Sequence, residues 1–120
     1  MLRIASSLLF LGIVFSVSHF FFEPTFLYYE IWWLDIPMHI LGGMGVASLT
    51  YAVLSYKGIH VSYMRLLFIF LIVAFLWELY EYLREVNLYE TMSDYLDSVK
   101  DIVDGIIGMT VAYFFIRKSN

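Results

Sequence analysis

The sequence predicts an all-α, polytopic membrane protein: an antiparallel bundle of four transmembrane helices forming one integral membrane domain over residues 1–120. Three observations predict it. Hydrophobic residues make up 62% of the chain and charged residues only 15%, with a mean hydropathy of +0.79; a soluble domain carries roughly a quarter charged residues. Four apolar runs approach the ~20 residues a membrane helix needs. The connections between them are short, which makes sequential helices antiparallel neighbours.

The first span is 4–22, which holds no Asp, Glu, Lys or Arg. A signal peptide is the competing reading, with Arg3 at its head and Ser16-Val17-Ser18 as a small-x-small triplet. The run reaches Phe22, longer than the usual apolar region, and His19 is a poor cleavage flank, so a retained span is expected. The segment at 22–35, FEPTFLYYEIWWLD, is aromatic and is expected to lie on the outer membrane surface. The second span is 36–56. Asp35 reads as its N-cap, and Pro37 falls in the first turn, where its missing N–H costs little. The third span, about 66–83, carries Glu78 and Glu81 near its end. Residues 87–97 read as a short polar loop running into a helix. The fourth span, about 98–116, carries Asp101 and Asp104 near its start.

Orientation follows from Lys and Arg near the span ends. Arg3, Lys57, Arg65, Arg117 and Lys118 all fall on one side, and only Arg84 and Lys100 on the other. Both termini are therefore expected in the cytoplasm of a cell with this chain in its inner or plasma membrane. The eleven acidic residues lie at or near the opposite side. Tyr28, Tyr29, Trp32 and Trp33 suit an aromatic belt there.

Composition also excludes classes of function. The chain has no cysteine, which removes disulfides, thiolate metal sites and Cys nucleophiles. With a net charge of -4 and no basic cluster, nucleic acid is not an expected partner. No Pro-rich or Gly/Ser-rich tract marks a linker. The Gly-containing stretch at 41–45 follows no strand and is not a phosphate loop. Gly43 with Ala47, and Gly105 and Gly108 beside Met109, read as close helix packing.

The acids fall into stripes. Asp35 and His39 are four apart and share a helix face, which Gly42 and Gly43 continue. Glu78, Glu81 and Glu85 follow i, i+3, i+7. Asp94, Asp97, Asp101, Asp104 and Gly108 form one sustained stripe on the fourth span. A carboxylate turned to lipid near mid-membrane costs about 2.5–3.5 kcal/mol, so the three stripes are expected to face one another. Turned inward they repel unless protonated or balanced by cations. Arg84, Lys100 and a protonated His39 are too few for so many acids, and a divalent cation is the most economical counter-charge. Carboxylates with one imidazole suit Zn, Mn, Fe or Mg. The expected metal ligands are Asp35, His39, Glu78, Glu81, Asp97, Asp101 and Asp104, with Asp97 as an outer or alternate one. Glu81 and His39 are the expected acid–base pair. His19 reads as an interfacial histidine, and His60, in the inner loop, has no assigned role.

Three blocks carry a resemblance: Asp35-x-x-x-His39 with Gly43, Glu78-x-x-Glu81 inside WELYEYL at 77–83, and Asp94-x-x-Asp97-x-x-x-Asp101 with Gly108 seven residues on. In order, spacing and placement they resemble the YjdF-like bacterial inner-membrane proteins and, more distantly, VanZ-like membrane proteins, over about residues 31–116. Those relatives often carry a larger polar residue where Gly42 stands, and a Gly-Asp turn where Thr91-Met92-Ser93 stands. The resemblance implies a multispan membrane protein with a shared polar site, and no substrate.

The leading expectation is a divalent-metal-dependent hydrolase or transferase acting on an envelope lipid or phosphate. Its partners would be membrane lipid and a lipid head group or small periplasmic solute. The same acids also fit a transporter or ion-handling protein, although the inner halves of the spans lack the acids a continuous path would need. An accessory subunit using the acids as an interface is the third reading.

Overall fold

A computed structural model describes residues 1–85 and 92–118. All regular structure among these residues is helical. Helix α1 (Leu2–Val17) runs without interruption into a π-helical turn, Ser18–Phe22. A single short turn of helix, α2 (Leu27–Glu30), and a 3-10 turn, Trp32–Leu34, lead into α3 (Asp35–Tyr56). Helices α4 (Tyr63–Glu85) and α5 (Met92–Lys118) complete the chain.

Among the described residues, three segments are long and apolar enough to cross a membrane: Leu2–Phe22, Trp32–Tyr56 and Tyr63–Leu83. The expected spans 4–22, 36–56 and about 66–83 fall within them. The 27-residue α5 is long enough, but Lys100, Asp101 and Asp104 set it apart from those three in composition. Its position explains that composition. α3 packs most extensively on α5, α1 lies against α3, and α4 touches both α5 and α3. Asp101, Asp104, Gly105, Gly108, Met109, Ala112 and Tyr113 of α5 are buried. A helix covered by protein along one face has no need to be apolar there.

Small residues bring α3 and α5 together. A Cβ on Gly43 would run into the backbone carbonyl of Gly105, and one on Gly108 into the carbonyl of Ile40. Removing the side chain lets the two backbones touch, as in membrane helix pairs generally. Gly42, expected on the same face, instead has open space beside it. Below the glycines, Ala47, Leu66, Phe70, Met109, Ala112 and Tyr113 form the buried core. Tyr63 and Thr110 share a hydrogen bond of 3.0 Å across α4 and α5, and Tyr63 meets Tyr113 edge-on at 5.4 Å.

The segment between α1 and α3 folds back on α1. Ser18 Oγ and Tyr28 Oη are 2.6 Å apart, and Phe22 packs edge-on to Tyr28. Burial raises the Tyr28 phenol above its ordinary value, so it stays a neutral hydroxyl. Phe26 adopts a left-handed backbone at φ 57°, rare for an aromatic residue, to make the reversal. Trp32 and Trp33 are exposed, as residues of an interfacial belt would be.

Candidate functional site

The site forms where the start of α3 meets the first turns of α5. Asp35 is the first residue of α3, but it is not a cap: no side-chain capping bond is made at this helix start, where Leu34 holds the N-cap position. The carboxylate is used elsewhere. Oδ1 lies 3.1 Å from His39 Nε2, one turn along the same helix, and Oδ2 accepts a hydrogen bond of 2.9 Å from Lys100 Nζ. The i, i+4 spacing sets the first contact, and the Gly43–Gly105 and Ile40–Gly108 approaches set the second by holding α5 close.

Lys100 is the centre of the cluster. Its ammonium donates to Asp101 Oδ1, lies 3.4 Å from Asp97 Oδ1 and 3.9 Å from Asp104 Oδ2, and joins these acids to Asp35. His39 Nε2 is also 3.6 Å from Asp101 Oδ2, so one imidazole nitrogen sits between two carboxylates on different helices. Asp101 is 7% exposed. Asp104 is 9% exposed, and its Oδ2 is buried without a hydrogen-bond partner. A buried carboxylate oxygen without a hydrogen-bond donor is costly, and the nearby Lys100 ammonium offsets part of that cost.

Each expected ligand can now be placed. Asp35, His39 and Asp101 offer one ligand atom apiece within 4.8 Å of one another. Around a metal at about 2.1 Å from its ligands, pairs of ligand atoms lie roughly 3–4.2 Å apart. From separations of up to 4.8 Å, the three side chains therefore need to close by roughly 0.6–1.8 Å at the widest pair to hold an ion. Asp97 is exposed, and both it and Asp104 reach the group through Lys100. Glu78 and Glu81 on α4 form an outer ring. Glu78 is hydrogen-bonded to Ser98, and half-buried Glu81 lies within electrostatic range of His39, Glu78, Asp101 and Asp35. The side chains of Arg84, Glu85 and Asp94, and all of Glu90, fall outside the described residues.

Lys100, expected as one of the few counter-charges, is the hub of the cluster. His19, expected as an interfacial histidine, contacts Glu23 through Nδ1 at 3.1 Å, one helical turn away, and its ring stacks on Phe15.

The family model for a predicted membrane protein family, DUF2238, matches residues 1–114. The chain belongs to that family. The match takes in all of α1, α3 and α4, and α5 through Phe114, so the whole cluster lies inside it. No curated protein and no solved structure matches the chain.

Proposed function

We propose that this DUF2238 protein is a four-span membrane protein whose Asp35–His39–Asp101 group binds a divalent cation and uses it in hydrolysis or group transfer on a phosphate-bearing envelope lipid. The observation that carries the reading is the convergence of these three ligand types, from two helices, within 4.8 Å.

The fourth span is supported by the other side of α5. Val99, Val103, Ile107, Val111, Phe114 and Phe115 are exposed and make one apolar stripe. At 1.5 Å per residue the stripe runs about 24 Å, most of a hydrocarbon core about 30 Å thick. Such a stripe is well suited to lipid and poorly suited to water. With α5 crossing, both termini share the side that carries Arg3, Lys57, Arg65, Arg117 and Lys118, which the charge bias makes the cytoplasmic one. The cluster then opens to the outer leaflet.

Lys100 and a divalent ion compete for the same carboxylates. In the arrangement described, the ammonium neutralises Asp35 and Asp101. Occupation by an ion requires Lys100 to swing outward, and its 37% side-chain exposure leaves solvent-side room to do so. A bound ion would supply Lewis acidity toward a phosphate oxygen. Glu81 would take a proton from the attacking water, and the displaced Lys100 would pair with the substrate's negative charge.

The test is phosphate release from extracted membrane lipids by the detergent-purified protein, with and without chelator. The reading expects release that chelation abolishes, and that Glu81→Gln lowers by about 100-fold or more while the metal content stays unchanged. Release that persists in chelator, or that Glu81→Gln leaves intact, would overturn it.

A further inference from the structure

The far end of the bundle holds a second polar feature. A recess of about 530 Å³ opens between the end of α3, the α3–α4 connection and the end of α5. Its polar lining is Tyr51, Ser55, His60, Ser62, Tyr113 and Arg117, and among the described residues no acid lines it. Arg117 Nη1 reaches the Tyr113 hydroxyl at 3.5 Å. Arg65 donates to the backbone carbonyl of His60, one of the lining residues.

Position and charge narrow what fits. The second apolar segment ends at Tyr56, so the recess lies at the level where the bundle leaves the membrane. Lys118 follows Arg117 in sequence, and Lys57 lies between the lining residues Ser55 and Ile59. The nearest buried acid along α5 is Asp104, thirteen residues from Arg117 or about 20 Å. At that distance no carboxylate of the acid cluster reaches the recess to pair with Arg117. Hydroxyls and a guanidinium are the donors that a phosphate diester takes. The volume falls in the range of small-molecule sites, about 300–1,000 Å³, and exceeds the needs of one inorganic phosphate. Exposed Phe114 and Phe115 continue the surface of α5 toward lipid.

We propose that this recess binds the phosphodiester head group of an anionic phospholipid in the leaflet it faces, with Arg117 as the main contact and the acyl chains lying along Phe114 and Phe115. This does not depend on the cation site at the other end.

The test is native mass spectrometry and thermal unfolding of the detergent-purified protein with dihexanoyl phosphatidylglycerol, dihexanoyl phosphatidylcholine or inorganic phosphate. The proposal expects a saturable one-to-one adduct and a raised midpoint with phosphatidylglycerol only. Arg117→Gln should weaken that binding about tenfold, and Lys118→Gln, which removes the same charge next door, less than threefold. Tyr113→Phe should weaken it a few-fold, giving a second probe if Arg117→Gln folds poorly. Equal stabilisation by phosphatidylcholine, binding of inorganic phosphate as tight as that of the lipid, or equal losses in Arg117→Gln and Lys118→Gln would overturn the proposal.

Discussion

Lys100 Nζ donates a hydrogen bond of 2.9 Å to Asp35 Oδ2, and this one contact ties α5 to the first residue of α3. The same ammonium contacts Asp97, Asp101 and Asp104. One cation thus serves four carboxylates, and its removal tests whether the cluster has another way to be neutralised.

Lys100→Met leaves those carboxylates facing one another. Breaking a buried ion pair costs about 3–5 kcal/mol, and partial exposure of Lys100 and Asp97 reduces this to roughly 1–3 kcal/mol. Thermal unfolding in chelator should show the loss. Added Mn or Zn should restore most of it by occupying the vacated position. A loss that no divalent cation repairs would mean that the cluster is a structural ion-pair network alone.

The glycines give a sharper packing prediction. Gly43→Ala and Gly108→Ala each place a methyl group against a backbone carbonyl of the opposite helix, so α3 and α5 must separate. Each should cost about 1–3 kcal/mol or more. Gly42→Ala meets open space and should be neutral or stabilising by up to about 1 kcal/mol, because alanine favours helix. Unfolding of the three variants in one detergent checks the ranking. Because the close approach also sets the reach from Lys100 to Asp35, the two damaging variants should weaken cation binding as well.

The crossing of α5 is testable by labelling, since the chain has no cysteine of its own. Exposed Thr25, Lys57 and Lys118 are suitable sites for single substitutions. In intact cells Thr25→Cys should react with an impermeant maleimide, and Lys57→Cys and Lys118→Cys should react only after permeabilisation. Labelling of Lys118→Cys from the same side as Thr25→Cys would show that α5 does not cross.

Three apolar spans and the helical spacing of the acids were legible because both depend on local spacing. Asp35 with His39, and Asp97 with Asp101 and Asp104, repeat at helical intervals whatever their surroundings. Which stripe residues meet depends on how each helix is rotated and how closely it is approached, and spacing does not encode that. Lys100 shows the difference. It sits about 100° around α5 from Asp101, off the stripe, and reaches the cluster only through its long flexible side chain. Asp35 misleads in the opposite way. Its place at a helix start fits a cap, but the neighbouring His39 and Lys100 take its oxygens. The small residues at 43, 105 and 108 announced close packing without naming partners. The recess near His60 was invisible, because it exists only where the ends of α3 and α5 converge with the connection.

Asp104→Asn separates ligation from charge. It keeps the size of a buried side chain whose Oδ2 lacks a hydrogen-bond partner, and it leaves the three converging ligands in place. Folding should be retained and cation affinity should fall by less than about tenfold, against the complete loss expected for Asp101→Asn. Titration calorimetry of both variants reads the difference.

The most direct test of the cation site is the metal content of the purified protein, measured by mass spectrometry after equilibration with Zn, Mn and Mg, beside His39→Ala and Asp101→Asn. The account predicts about one tightly held divalent ion per chain, absent from both variants, with tighter retention in Lys100→Met. No ion above background in the native protein and in Lys100→Met, with every variant folded, would contradict it and leave Lys100 as the permanent partner of these acids.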